Sequence, residues 1–544
     1  MKTNFYGDVL EKGHIFNFND IKLKESISLK EVNGHIEKIY DIMETLLKNF
    51  RFQSVRKPRV MFGRDADFLN SFFLCSELKK TMKYYISRNK MTLSYAFNQA
   101  VEKRIQNIDK LALWVYAEED YDYYYGIVNQ LREQMIIHID RYYMHDFCKK
   151  QRKEIIIYVK DFKIEYLHQL PKQIRGFICE KMEHSLRLRD LMSSIEVPVA
   201  ESEKELFDGT YVLLDTIYDK LIINPTQRQT REFLKTKYKF TFKLNETPRV
   251  DRERIKVYVN LASTRELKKA TSKWFDGLGI FRTEYFYMTR GYPPSLEELI
   301  ELFVEVIEAF KGGKIIIRLP DFNDLKTLDY EKGLFTDLTY LAGNAHIFDR
   351  CMQAIGHAIN RTQQQVIISV PMLRAASEIP HWKDDFDIHI NSIVPEHLSP
   401  LFCAMMETES ATMFFEDYRI ADMVIIGLND LNEEAMDVSR FAKLDLKEFE
   451  ALTWDEVNQS HKDFRKNGVK LLHYVAGRHL EQEEILRRFI NSGFVNFCFQ
   501  ISKARLVEEV LFNYESTRGR YVGVHKQRKE AAKAKKEKKK KNKK

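Results

Sequence analysis

Short apolar runs recur along the second half of the chain, and segments with helical periodicity lie between most of them. Runs of this length that alternate with helices are typical of a parallel sheet. Eight of them predict a closed (β/α)8 barrel, the TIM barrel. The predicted strands are residues 256–261, 277–286, 314–319, 365–373, 401–406, 423–427, 470–475 and 496–501.

The first half of the chain shows two other patterns. Apolar residues follow helical spacing over residues 36–50 and again over 123–147, which predicts a mainly helical region up to about residue 150. Short strand-like runs separated by turns then predict a small α/β domain. These runs are residues 153–159, 176–179, 211–215 and 220–223.

The changes of pattern divide the chain into segments, and 544 residues are too many for a single hydrophobic core. The fold class is therefore predicted as α/β, with a small α/β domain and a helical subdomain before a C-terminal barrel. We expect an N-terminal segment of the α/β domain (1–34), a helical subdomain (35–150), the rest of the α/β domain (151–230), a linker (231–249), the barrel (250–515) and a basic tail (516–544).

The amino-acid composition agrees with a globular fold except in the basic segment at the C-terminus. The chain is 44% hydrophobic and 31% charged, which is typical of a globular protein, and it has six cysteines without paired or metal-type spacing. We find no signal-peptide pattern and no apolar run of the roughly 18 residues that a membrane span needs. These features predict a cytoplasmic protein with free thiols.

The formal charge of +8 comes from the tail. Residues 526–544 contain 12 Lys/Arg and 2 Glu, a net charge of +10, so the remainder carries 8 − 10 = −2. Such a low-complexity cationic segment cannot form a core, and we expect it to be disordered. It indicates either electrostatic contact with RNA, ribosomes or another anionic surface, or a solubilising extension.

Charged residues follow several of the predicted strands, and the C-terminal strand ends of a barrel share one mouth. Arginines suit a ligand with two anionic groups, and paired carboxylates suit Mg²⁺. A phosphorylated carboxylic acid with Mg²⁺ is therefore the predicted ligand, although each residue alone would more often form a rim salt bridge. The residues are Arg282, Glu284, Arg318, Asp321, Lys326, Glu407, Asn429, Asp430 and Arg440.

Four segments that contain these residues, together with Arg440, resemble a known family. Residues 277–290, 315–326, 404–411 and 426–431, followed by Arg440, are similar in order and spacing to the phosphoenolpyruvate (PEP) binding barrel of Enzyme I. Enzyme I is the PEP-protein phosphotransferase of the bacterial sugar phosphotransferase system.

The resemblance implies a role for each of these residues and an architecture. Arg282, Arg318, Asn429 and Arg440 would bind PEP, while Glu407 and Asp430 would bind Mg²⁺. It also implies a swivelling, phosphohistidine-like α/β domain, an inserted helical subdomain that binds HPr or an HPr-like carrier, and a homodimer formed through the barrel.

The sequence departs from the family at two reactive positions. The family's acceptor histidine corresponds to Arg187, which stays protonated and cannot act as a nucleophile. His184, three residues away, is the alternative acceptor. The family's proton-donating cysteine at the end of strand seven corresponds to Ala476, which has no proton to transfer.

These losses leave three functions open. The first is an impaired Enzyme I-like protein, a pseudoenzyme that binds PEP and Mg²⁺ or a partner and acts as a regulator. The second is an active phosphotransferase with a displaced acceptor, His184 or a residue of a partner protein. The third is a non-enzymatic scaffold whose lysine tail binds RNA or ribosomes.

Overall fold

The structure of the protein is a computed structural model. The residues that it describes are 4–6, 10–18, 28–49, 51–53, 58–60, 64–106, 121–182, 186–195, 197–216, 219–237, 249–250, 253–271, 275–322, 328, 340–436, 447–449, 454–466, 472–477, 480, 482–504 and 506–514.

A seven-stranded sheet forms the core of the first half of the chain. Its four inner strands pair in parallel, and its outer strands pair antiparallel. The two N-terminal strands and the strand Val199–Glu201 were absent from the sequence prediction. The spatial order of the strands is Asn4–Tyr6, Val199–Glu201, Ile174–Lys181, Ile155–Asp161, Leu10–Asn17, Tyr211–Asp215 and Lys220–Ile223.

Among the residues that the structure describes, five helices are inserted between the second and third strands of this sheet in chain order. Their apolar faces pack on one another around Ile39, Phe72 and Phe97, each fully buried. A hairpin of Arg51–Gln53 and Pro58–Val60 lies in the same insertion. The helices are Leu29–Asn49, Arg64–Phe73, Ser76–Asn89, Leu93–Ile105 and Tyr121–Lys149.

Eight parallel strands close into a barrel in sequence order, which confirms the predicted fold class. Buried aliphatic residues dominate the strands, because a parallel barrel is covered by helices outside and by side chains within. The strands are Lys256–Leu261, Gly277–Arg282, Lys314–Arg318, Ile367–Val370, Leu401–Met406, Met423–Gly427, Leu472–Ala476 and Asn496–Gln500.

Helices follow the strands around the barrel. The helix Leu296–Ala309 begins with a capping box, in which the side chains of Ser295 and Glu298 each accept a hydrogen bond from the other's backbone N–H group. None of the helices that the structure describes is long and apolar enough to cross a membrane. The helices are Leu267–Ala270, Glu284–Arg290, Leu296–Ala309, Tyr340–Thr362, Glu378–Phe386, Glu409–Met413, Leu428–Met436, Trp454–Lys466 and Glu483–Asn491.

The second and fourth barrel strands end three or more residues before their predicted ends because the chain turns at the rim. The second strand ends at Arg282, and the helix Glu284–Arg290 follows it. Thr283 fixes this turn, since its backbone is helical and its hydroxyl donates to the Arg318 carbonyl at 2.8 Å. The fourth strand ends at Val370, shortly before Met372 takes a left-handed backbone conformation with φ of 53°. Both turns place polar groups at the mouth.

The α/β domain lies against the barrel beside its mouth. Arg265, after the first barrel strand, donates to the backbone carbonyls of Pro171 and Ile174. His168 contacts the Thr289 hydroxyl at 3.2 Å. The helix Leu186–Ile195 approaches the second strand directly through Ser194, which brings a residue of the first half of the chain to the barrel mouth.

Candidate functional site

Arg318 is the centre of a buried charged cluster at the end of the third barrel strand. It is 3% exposed, and its guanidinium pairs with Glu284, which is fully buried, and with Asp321 at 3.2 Å. Burial alone would lower the pKa of Arg318, but the nearby carboxylates outweigh it and raise the pKa. Arg318 is therefore a permanent cation held rigidly at the mouth.

Arg282 lies beside this cluster and contacts the first half of the chain. Its Nη1 donates to Ser194 Oγ at 2.7 Å, and its Nε lies 3.6 Å from Glu284. Ser194 in turn donates to the Tyr285 hydroxyl at 2.9 Å, and the guanidinium stacks over the Tyr285 ring at 4.9 Å. Ser194 therefore occupies one of the N–H donors that Arg282 could offer to a ligand.

Glu407 and Asp430 supply carboxylates on neighbouring strands. Glu407 follows the fifth strand and is 1% exposed, while Asp430 follows the sixth and is partly exposed. Glu407 accepts the Met372 N–H at 2.9 Å. A Cβ on Gly427 would lie 2.7 Å from Glu407 Oε2, so only glycine leaves room for this carboxylate. Burial, and then the charge of Asp430, raises the pKa of Glu407 to about 8.

The carboxylate pair fits a divalent cation. Two carboxylates close enough to raise the pKa of one of them are stabilised when a cation neutralises their charge. No group of three or more acidic, histidine or cysteine side chains suitable for a metal occurs in the described part of the chain. Mg²⁺ needs fewer, because it commonly binds one or two carboxylates and completes its coordination with water and phosphate.

One small cavity joins these residues. Its volume is about 50 Å³, which is room for one or two water molecules, so a larger ligand requires side chains to move. The cavity brings together five predicted site residues, Arg282, Arg318, Glu407, Asn429 and Asp430, with Ala476. Its other lining residues are Asn260, Ile280, Met405, Gly427, Gly477, Cys498, Phe499 and Gln500.

Several of the predicted site residues lie outside the part of the chain that the structure describes. Arg440, Lys326 and His184 are not among the described residues, and their roles stay predictions. Arg187 lies in the helix Leu186–Ile195, but its side chain is outside the described part of the chain. Ala476 ends the seventh strand and lines the cavity, so the position without an acid is part of the site.

Four polar residues of the site were not predicted from the sequence. Ser194 and Tyr285 bind each other and Arg282, while Cys498 and Gln500 line the cavity from the eighth strand. The signal for the last two was the alternation of inward and outward residues along that strand. No signal in the sequence pointed to Ser194, because it reaches the site only through the docking of two domains.

Comparisons with known proteins agree with this geometry. Residues 239–463 match the family model described as PEP-utilising enzyme, PEP-binding domain. The PEP-protein phosphotransferase of Haloferax volcanii is 24% identical over 291 residues, covering 50% of this chain and 51% of that protein. That of Buchnera aphidicola is 25% identical over 312 residues, covering 53% of this chain and 54% of that protein.

Other matches are of the same kind. The PEP-protein phosphotransferase of Haemophilus influenzae is 22% identical over 266 residues, covering 47% of this chain and 45% of that protein. The chain spans about half the length of the curated relatives it matches. A solution NMR structure of Enzyme I is 16% identical, covering 42% of this chain and 94% of that one, with a TM-score of 0.20.

The family model matches the part of the barrel in which Arg282, Arg318, Glu407 and Asp430 lie. Residues 239–463 are therefore similar to the PEP-binding domain of PEP-utilising enzymes, and the chain is a divergent relative of the phosphoenolpyruvate-protein phosphotransferases.

Proposed function

We propose that the protein binds PEP and Mg²⁺ at the barrel mouth and acts as a regulator, with phosphoryl transfer impaired. The observation that carries the proposal is that two buried arginines and a carboxylate pair line one cavity at the C-terminal strand ends. PEP carries a carboxylate and a phosphate, and each suits a guanidinium.

The site residues divide the binding between them. Arg318 and Arg282 would hold the two anionic groups of PEP, with Asn429 as a further donor to phosphate. Glu407 and Asp430 would hold Mg²⁺, which when bound would offset the negative charge of the phosphoryl group. Arg440 stays in the proposal as a third cation.

The contact between Arg282 and Ser194 links binding to domain position. PEP that takes the Nη1 donor of Arg282 displaces Ser194, so PEP binding favours a state in which the helix Leu186–Ile195 has left the mouth. A ligand that prefers one of two domain arrangements changes their populations, which is the basis of a metabolite sensor. Arg187, at the acceptor position, would transmit no phosphoryl group.

Replacing Ser194 with alanine tests this link. We expect the variant to bind PEP about two- to tenfold more tightly, since PEP no longer competes with a hydrogen bond whose net contribution is roughly 0.5–1.5 kcal/mol. Isothermal titration calorimetry in Mg²⁺ measures the difference. Tyr285→Phe is the matched control, because it removes the acceptor of the Ser194 hydroxyl but keeps the bond to Arg282. Equal affinities in all three proteins would refute the link.

Impaired phosphoryl transfer predicts that PEP leaves no phosphate on the protein. When the protein is incubated with PEP labelled at phosphorus, Mg²⁺ and a purified HPr, we expect no acid-labile phosphate on either protein, because Arg187 offers no nucleophilic lone pair. Label on this chain that disappears in His184→Ala would instead establish the active phosphotransferase with a displaced acceptor. An HPr-like partner, a homodimer through the barrel and RNA contact by residues 526–544 stay proposals.

A further inference from the structure

A second cavity lies in the first half of the chain, apart from the barrel mouth. Its volume is about 410 Å³, against about 50 Å³ for the cavity that joins the predicted PEP ligands. Cavities of roughly 300–1,000 Å³ are the usual size of small-molecule sites. Residues of two inserted helices, Leu93–Ile105 and Tyr121–Lys149, line it together with residues of the α/β domain.

This second cavity lies at the carboxyl ends of two parallel strands. Lys160 and Asp161 end the strand Ile155–Asp161 and line the cavity. Phe18, which also lines it, directly follows the parallel neighbour Leu10–Asn17. Small molecules commonly bind at this edge of α/β sheets, because a crevice forms where the chain leaves the strands.

Asp140 is the inner charged group of the cavity. It lies on the helix Tyr121–Lys149, is partly buried, and accepts a hydrogen bond from the side chain of Ser94. Burial raises the pKa of Asp140 to about 7, and the hydrogen bond from Ser94 opposes this effect in part. No lysine, arginine or histidine of the described residues lowers this pKa, so the carboxylate lacks a cationic partner among them.

Neutral polar groups share the cavity with Asp140. Tyr166 is 5% exposed, and burial and then the charge of Asp140 raise the pKa of Tyr166 well above its ordinary value, which places the two side chains close together. Uncharged hydroxyl and carbonyl oxygens accept hydrogen bonds from an ammonium group without repelling it. These groups are the hydroxyls of Thr92, Ser94, Tyr95 and Tyr166 and the amide of Asn98.

The rim of the cavity carries the opposite charge. Lys160 and Lys163 are exposed there beside one exposed carboxylate, Asp161, so these three residues have a net charge of 2 − 1 = +1. Lysine ammonium groups bind carboxylates and phosphates. An inner carboxylate and an outer pair of lysines therefore match a ligand with an ammonium group at one end and an anionic group at the other.

We propose that this cavity binds a small zwitterion, whose ammonium group pairs with Asp140 and whose carboxylate or phosphate lies at Lys160 and Lys163. Amino acids and aminoalkyl phosphates are the two sources of this chemistry. Because the inserted helices and the α/β domain both line the site, the bound ligand stabilises their arrangement. The site is independent of the proposed PEP site, since the two cavities share no lining residue.

The affinity for such a ligand should depend on pH, because the ammonium group pairs with ionised Asp140. Asp140 is mostly neutral below its pKa of about 7 and mostly ionised above it. No histidine of the described residues lines the cavity. With 4-aminobutyrate as the probe, the affinity should rise about tenfold between about pH 6 and 8. At the acidic end, binding should release nearly one proton, which calorimetry in two buffers of different ionisation enthalpy measures.

Replacing Asp140 with asparagine should weaken the binding of 4-aminobutyrate by about tenfold or more at about pH 8, because a hydrogen bond between two charged groups is lost. The variant should also lose the proton release, which a purely structural effect would leave in place. Glu133→Gln is the matched control, since Glu133 is an exposed carboxylate of the same helix that does not line the cavity. It should bind as the wild type does.

Related compounds test the two ends of the ligand. Butylamine, which lacks the anionic group, should bind more weakly than 4-aminobutyrate, and butyrate, which lacks the ammonium group, should not bind at millimolar concentration. The double variant Lys160→Gln with Lys163→Gln should bind 4-aminobutyrate only as tightly as butylamine. Tighter binding of phosphoethanolamine than of 4-aminobutyrate would identify a phosphorylated ligand, and the reverse order would identify an amino acid.

The outcomes separate this inference from the proposed function. Absence of binding by both zwitterions at millimolar concentration would overturn it, as would butyrate that binds as tightly as 4-aminobutyrate. Unchanged affinity and proton release in Asp140→Asn would overturn it as well. The pH dependence is measured on the wild-type protein, so this test stands even if the variant does not fold. Failure of PEP to bind would overturn the proposed function and leave this site unaffected.

Discussion

Replacing Arg318 with glutamine is expected to lower PEP affinity by about a hundredfold or more and to destabilise the protein by roughly 3–5 kcal/mol. The large stability change arises because Glu284 is fully buried and would lose its main cationic partner. The affinity change arises because the same guanidinium is aimed at the ligand cavity. Urea unfolding and calorimetry with PEP and Mg²⁺ measure the two effects separately.

A double variant separates binding from folding. In Arg318→Gln with Glu284→Gln, the fully buried charge of Glu284 is removed together with its partner, so part of the lost stability should return, although Asp321 still lacks its cation. PEP binding should stay lost, because a neutral amide cannot replace a guanidinium toward phosphate. Recovery of PEP binding in the double variant would show that Arg318 acts only by stabilising the barrel.

Replacing Glu407 with glutamine is expected to abolish Mg²⁺ binding while stabilising the metal-free protein at alkaline pH. The folded-state pKa of Glu407 is about 8, above its ordinary value of 4.5, because of burial and then of Asp430. The stability that the bound proton contributes is full below about pH 4.5 and is lost as the pH rises through about 8. Glutamine cannot ionise, so the variant avoids that loss.

Thermal unfolding between about pH 5 and 9 tests whether the stability falls as the pH rises. This range includes the Glu407 pKa of about 8. One unit of pKa corresponds to about 1.4 kcal/mol, so we expect Glu407→Gln to gain at least roughly 2 kcal/mol over wild type at the alkaline end without metal. Added Mg²⁺ and PEP should stabilise the wild type but not Glu407→Gln. Glu409→Gln is the control, because Glu409 is an exposed carboxylate in the same segment. A variant less stable than wild type at every pH would contradict the assignment.

The barrel could be predicted from the sequence because its signal is strong and local. Apolar runs such as Leu401–Met406 and Met423–Gly427 coincide with observed strands, since strands covered on both sides contain few polar residues. The strand ends were less predictable. Arg282 ends its strand because Thr283 bonds across to the Arg318 carbonyl, and this contact depends on the closed barrel.

The candidate site could be predicted only where residues follow their own strands. Arg318 and Glu407 were identified because each ends or follows a strand of the barrel and therefore faces the mouth. Ser194 could not be identified from the sequence, because it reaches Arg282 from a separate domain. The alternation along the eighth strand indicates that Cys498 faces inward, but its position beside Ala476 is set by the register of the last two strands.

The most direct test of the central claim is calorimetric titration of the wild-type protein with PEP, once with Mg²⁺ and once with a chelator. Two buried arginines and a carboxylate pair in one cavity predict saturable binding of PEP that weakens markedly when Mg²⁺ is removed. Absence of heat from PEP at millimolar concentration, with Mg²⁺ present and the protein folded, would contradict the account and leave the barrel as a structural relic.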